Sequence, residues 1–134
     1  GSVNIGDNVE IGALCTIDSG VSAITKIGEG TKIDNQVHIG HDTIVGENCL
    51  MAANVGIAGC VVIKDNVTIW GQVGCASNVT IEKNVTIGAQ SGISKNLEEG
   101  KTYFGTPCIE IRKKYKEIAA IKKLPDLIDR LKND

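Results

Sequence analysis

The chain has 134 residues, 42% of them hydrophobic but only 3% aromatic, with 16 glycines, 2 prolines and a net charge of −2. That length holds one domain, and a core so poor in rings has to be assembled from small aliphatic side chains in many short elements. Apolar runs are only a few residues long, and the N-terminus lacks the basic, apolar and small-residue order of a secretory signal, so no transmembrane segment and a cytoplasmic location are expected.

The five cysteines (Cys15, Cys49, Cys60, Cys75 and Cys108) are odd in number and form no Cys-x-x-Cys pair. Free thiols and no metal site are therefore expected. Charge is unevenly spread: residues 110–134 carry eight Lys/Arg against five Asp/Glu, and the preceding body carries six against eleven. An acidic body argues against nucleic-acid binding, whereas the basic tail suits either an acidic partner or plain solvation.

From the N-terminus, Ile5, Ile11 and Ile17 recur every six residues. After four extra residues the series resumes at Ile27 and runs without a miss through Ile33, Ile39, Val45, Met51, Ile57, Ile63, Ile69, Cys75, Ile81, Ile87 and Ile93. Four positions after most of them stands a small or β-branched residue, as at Val37, Val55, Val61 and Val73. A period of six fits neither a helix nor a simple run of hairpins. It fits a short strand and a turn repeated three times per circuit, with Asn placed at turns that need φ > 0, as in "IGDN", "IGEN", "IKDN" and "IEKN". Three hexapeptides close one triangular coil, and coils stack by parallel pairing about 4.8 Å apart.

The pattern resembles the hexapeptide-repeat transferases, which implies an all-β left-handed parallel β-helix of about five coils over residues 3–107. A C-terminal helical tail over residues 108–134 follows. There Tyr115, Ile118, Ala119 and Lys122 recur at helical spacing, and Pro125 is expected to open a second helix containing Leu127, Ile128 and Leu131.

Stacking turns sequence into a map on which residues one circuit apart lie above one another. Ile27/Val45/Ile63/Ile81, Ile33/Met51/Ile69/Ile87 and Ile39/Ile57/Cys75/Ile93 become inward columns, and Gln36/Asn54/Gln72/Gln90 an amide ladder. Both histidines lie in "DNQVHIGHDTIVGENC". His41 is a turn residue pointing away from the prism, with Gly59 of "NVGIAGC" directly over it. His38 heads an outward column continued by Gly56, Gly74 and Gly92. That bare backbone can admit a thin extended ligand such as a pantetheine arm, or it can let a neighbouring subunit approach. The insertion "DSGVSAITK" falls at the His41 corner one coil earlier. An outward histidine, a glycine N–H one coil away, a loop and a channel together form a candidate acyl-transfer site. The alternative is a solvated turn histidine. Asp42 either orients His41 or is an ordinary turn aspartate. Outward Ile44, Leu50 and Val62 would be wet on a lone prism, which favours a homotrimer.

"IDNQVHIGHDTIVGENC", "NVGIAGC", "IGAQSGISKNLEEGKTYFGTP" and the tail "RKKYKEIAAIKKLPDLIDRL" together resemble the LpxD family, the UDP-3-O-(3-hydroxyacyl)glucosamine N-acyltransferases of lipid A synthesis. The resemblance implies that His41 is the general base, that the Gly59 N–H forms the oxyanion hole, and that a second family histidine is replaced by Asn78 in "CASNVTI". It also implies a 3-hydroxyacyl donor carried as a phosphopantetheine thioester on acyl carrier protein, an amine acceptor on a UDP-glucosamine derivative, and no bound cofactor. His38, Asp42, Gly56, Gly74, Asn78 and Gly92 are the expected substrate-binding residues. The family's N-terminal uridine-binding domain and leading coils are not in this chain, which implies a fragment or a shortened relative with impaired UDP-sugar recognition. Two other readings are an acetyl-CoA-dependent amino-sugar N-acetyltransferase of the same fold and a non-catalytic solenoid. Two histidines are too few for the usual site of a zinc hydrase of this architecture.

Overall fold

The six-residue period is realised as two-residue strands joined by four-residue corners, in a computed structural model that describes residues 1–134. Outside the insertion and the last turn, each corner passes through a residue in the left-handed region, three places after the inward side chain. The residues there include Asn8 (φ 57°), Asn48 (52°), Asn66 (57°) and Asn84 (61°). Asparagine takes this conformation readily. Leu14, Gln36, Cys60, Gln72 and Gln90 adopt it as well, so the stacked coils hold corners there that residue preference alone does not favour.

Strands one circuit apart pair in parallel and build three sheets. The first contains β1 (Ser2–Ile5), β4 (Ile24–Ile27), β7 (Ile44–Val45), β10 (Val62–Ile63) and β13 (Thr80–Ile81). The second starts with β2 (Glu10–Ile11), β5 (Lys32–Ile33), β8 (Leu50–Met51), β11 (Thr68–Ile69) and β14 (Thr86–Ile87). The third contains β3 (Thr16–Ile17), β6 (His38–Ile39), β9 (Gly56–Ile57), β12 (Gly74–Cys75) and β15 (Gly92–Ile93). The register is the one the repeat requires: Ile63 pairs with Val45 and Ile81, and Cys75 with Ile57 and Ile93. The insertion is absorbed between β3 and β4, so Ile17 still pairs with Ile39.

All three inward columns are buried, with Ile27, Ile39, Ile57, Ile69, Ile81 and Ile87 wholly inaccessible. Thr31 and Thr43 occupy slots that in most other repeats hold valine. Their hydroxyls donate to the carbonyls of Gly46 (2.8 Å) and Ala58 (3.0 Å), so the core contains no orphaned polar side chain. Each coil touches only its neighbours, so one cavity weakens a local stack that cannot collapse from the side. Ile63→Ala is expected to cost about 2–5 kcal/mol, read from the midpoint of urea unfolding at unchanged m-value.

The solenoid runs to about six turns, one more than the repeat count suggested. The last turn is irregular: Leu97 bridges Ile81, and β16 (Thr102–Phe104) pairs with β14 in parallel. The tail differs from expectation in two respects. Residues 109–110 form β17 (Ile109–Glu110), antiparallel to β16, and a single helix, α1 (Ile111–Asn133), follows. Pro125 lies inside that helix and opens no second one. The reason is tertiary: α1 meets the prism mainly at β16 and β17 and has no buried residue, so no packing surface folds the chain back at Pro125. Glu110 caps the helix, its carboxylate accepting the N–H groups of Arg112 (2.9 Å) and Lys113 (3.2 Å). Phe104 packs against Tyr115 with ring centroids 6.0 Å apart. The predicted amide ladder is present in part: the Gln90 side chain donates to Gln72 at 2.8 Å.

Candidate active site

The corner after β6 carries the sequence Gly40-His41-Asp42-Thr43. Asp42 is its left-handed residue, at φ 58°. The backbone there is pinned by Thr25, whose buried hydroxyl accepts the Asp42 N–H at 2.9 Å. Its carboxylate, only 7% exposed, does two jobs. Oδ1 accepts the N–H groups of Val21 (2.9 Å), Ser22 (3.2 Å) and Ala23 (2.7 Å), which fastens the insertion loop to this corner. Oδ2 lies 3.0 Å from His41 Nδ1. The two sequence readings of Asp42 are thus both realised, because one left-handed residue makes the turn and its side chain holds the imidazole.

The His41 hydrogen bond, with help from the loop amides, lowers the Asp42 pKa from 3.8 to about 2. The carboxylate is therefore ionised at neutral pH and takes the Nδ1 hydrogen, which leaves the lone pair on Nε2. A folded-state pKa below the unfolded one contributes stability that is complete above 3.8 and is lost as pH falls through about 2. The Val21 and Ala23 amide resonances are expected to move with a midpoint near 2. A midpoint at the ordinary carboxylate value would show that the loop is not fastened this way.

Nε2 faces the next coil. A Cβ built on Gly59 would stand 2.5 Å from His41 Nε2 and under 3 Å from both flanking ring carbons. Only glycine leaves room for the ring in this position. The Gly59 N–H has no acceptor within the protein, while the adjacent Cys60 N–H donates to the His41 carbonyl at 2.9 Å and fixes the register of the two coils. An imidazole lone pair and an unused amide are thereby neighbours across one circuit, an arrangement able to take a proton from a nucleophile and stabilise a developing oxyanion.

His38 takes a different direction. Its Nδ1 is 2.7 Å from Thr16 Oγ1, and its Nε2 is 3.7 Å from Asp18, both in the preceding coil. The two histidines therefore serve opposite neighbours. Gly56 and Gly74 are bare, with nothing within 4 Å of a built Cβ. Gly92 is not: the Thr106 side chain would meet such a Cβ at 2.9 Å, so the channel ends there. Asn78 occupies the corner one coil above Cys60, at φ 61°, and its N–H donates to the Gly59 carbonyl at 3.4 Å. Two coil rises, roughly 10 Å, separate it from the His41 corner. A concavity of about 630 Å³ follows the corners at Gly28, Gly46 and Lys64 and includes neither histidine.

Residues 24–59 match the bacterial transferase hexapeptide (six repeats) family, and residues 78–100 the hexapeptide repeat of succinyl-transferase. A UDP-3-O-acylglucosamine N-acyltransferase of Oleidesulfovibrio alaskensis is 57% identical over 132 residues, covering 98% of this chain and 39% of that protein. One of Prochlorococcus marinus is 59% identical over 132 residues, with 98% and 38% covered. The chain belongs to the LpxD family. It spans less than two fifths of the length of these LpxD relatives. Among solved structures, the UDP-N-acetylglucosamine O-acyltransferase LpxA of Moraxella catarrhalis is 34% identical with a TM-score of 0.79, over 81% of this LpxD-family chain and 43% of its own.

Several contributors to the site are absent from the sequence reading. Thr16 and Thr25 hold His38 and the Asp42 backbone, and the Val21, Ser22 and Ala23 amides hold the Asp42 carboxylate. Thr31 and Thr43 carry a signal in the sequence, as hydroxyls in a slot filled mostly by valine. The loop amides had no signal, because backbone donors have no residue type.

Proposed function

We propose that this chain carries the acyl-transfer centre of an LpxD-type N-acyltransferase of the lipid A pathway. It moves a 3-hydroxyacyl group from the phosphopantetheine thioester of acyl carrier protein to the 2-amine of a UDP-glucosamine derivative. The observation that carries this reading is the Asp42–His41–Gly59 stack. The amine nitrogen attacks the thioester carbon and forms the C–N bond while His41 Nε2 takes its proton. Negative charge gathers on the carbonyl oxygen, to which the Gly59 N–H donates. Collapse breaks the C–S bond, and the imidazolium returns the proton to the departing thiolate. No covalent acyl-enzyme and no metal is required by this sequence of steps.

The glycine column supplies the donor's path. It starts beside His38, passes Gly56 and Gly74 and stops where Thr106 covers Gly92. Asn78, in the coil above Gly59, is assigned to substrate contact alongside His38. Exposed Ile44 and Leu50, together with half-buried Val62, favour a homotrimer in which these outward aliphatics are covered. A monomer in sedimentation velocity at assay concentration would refute the trimer. No helix of the chain is long and apolar enough to cross a membrane. The basic patch at Arg112, Lys113, Lys114 and Lys116 gives acidic acyl carrier protein a complementary surface.

The reading is tested by supplying 3-hydroxyacyl-carrier protein with a high concentration of UDP-3-O-acylglucosamine, then following thiol release and the mass of the amide product. Release that needs both substrates is expected. Turnover of acetyl-CoA in preference to the carrier-protein thioester, or of neither donor, would overturn it.

A further inference from the structure

Three different metal-ligating side chains meet at the His41 corner. A ring nitrogen of His41, a carboxylate oxygen of Asp42 and the thiol sulfur of Cys60 all lie within 4.8 Å of one another. They come from two coils, since Cys60 stands one circuit above Asp42, and this is why the lack of a Cys-x-x-Cys spacing did not reveal them. Cys60 is the one exposed thiol of the five.

We propose that this cluster binds a soft divalent cation such as zinc, with His41 Nε2 and Cys60 Sγ as ligands and the remaining positions open to solvent. Asp42 has the orienting role: its oxygens are committed to His41 Nδ1 and to the loop amides, which is the carboxylate–histidine–metal arrangement that fixes a ligating imidazole. The fit is close. Zinc bonds of about 2.3 Å to sulfur and about 2.0–2.1 Å to nitrogen put those donors roughly 3.5 Å apart, within reach of a change of rotamer at exposed Cys60. A thiolate and an imidazole together favour zinc over the hard cations that oxygen-only clusters select.

The consequence is reversible inhibition. The ion occupies the lone pair that would accept the amine proton, so a chain carrying it cannot transfer the acyl group until the ion leaves. That consequence rests on the proposed role of His41, whereas the binding itself does not.

The test uses the full chain and two metals. Equilibrium dialysis against zinc is expected to give one ion per chain. Cobalt(II) is expected to show a thiolate-to-cobalt charge-transfer band. Cys60→Ser is expected to lose the band and weaken zinc binding at least tenfold, with circular dichroism unchanged, and His41→Ala to weaken it similarly. Transfer by the unsubstituted chain is expected to stop with stoichiometric zinc and return with chelator, while Cys60→Ser resists it. A band that survives Cys60→Ser, or no saturable binding by folded protein, would overturn the proposal. Metal binding at Cys60 in a chain that transfers no acyl group would uphold the cation site and defeat the functional reading alone.

Discussion

Replacing His41 by alanine is expected to lower kcat for amide formation by about 10²–10⁴-fold, the usual contribution of a positioned general base. The fold should survive the change. The ring is 46% exposed, and its hydrogen-bond partner is Asp42 alone, which keeps its bonds to the insertion loop and to Thr25. A His38→Ala variant separates this centre from its neighbour. His38 is held by Thr16 in the preceding coil and reaches neither Asp42 nor Gly59, so its loss should appear in KM for the acyl donor more than in kcat. Equal loss of kcat in both variants, or activity within a few-fold of the original in His41→Ala, would remove the assignment.

Gly59→Ala is expected to be nearly as damaging, although it adds one methyl group. That methyl would enter 2.5 Å from His41 Nε2, and backbone on both sides fixes its origin. The imidazole must therefore move, which breaks its alignment with Asp42 and displaces Nε2 from its place beside the Gly59 backbone. A displacement of about 1 Å at a reacting group costs on the order of 10²-fold in rate. The backbone at Gly59 is outside the left-handed region, so alanine meets no conformational penalty there and the melting temperature should change by only a few degrees. Loss of activity in a stable protein is the signature sought. An active Gly59→Ala enzyme would mean that the ring does not work from the position seen here.

The two variants together separate chemistry from registry. His41→Ala removes the base and leaves the coils in place, whereas Gly59→Ala leaves the base and displaces it. Asp42 joins both effects, because its carboxylate connects the imidazole to the insertion loop. The loop interrupts the six-residue repeat, and it stands beside the one corner whose left-handed residue is an aspartate.

Much of this architecture was legible in the residues. The unbroken six-residue spacing from Ile27 to Ile93 fixes strand length, corner length and pairing partner from β5 to β15, because a single-residue slip would turn the buried columns outward. The stacking of Gly59 over His41 followed from that arithmetic. The sequence also assigned the third column correctly across the insertion, where Ile17 meets Ile39.

What the residues left open depends on directions and on partners distant along the chain. Whether Asp42 turns the chain or holds the imidazole depends on where its carboxylate points. That direction is set by three loop amides about twenty residues earlier, which no side-chain pattern records. The two histidines, three residues apart in one strand and corner, look like a pair on paper, yet Thr16 draws one back to the preceding coil while Gly59 receives the other above. The Cys60 thiol joins His41 and Asp42 only because a left-handed corner in one coil lies over a left-handed corner in the next. Pro125 reads as a helix start because its fixed φ suits a first turn, and it sits mid-helix because no tertiary contact bends the tail. A periodic sequence determines the lattice by itself, since every repeat obeys the same local rule. Only the folded chain decides the site, because its working groups are held by contacts that differ from one coil to the next.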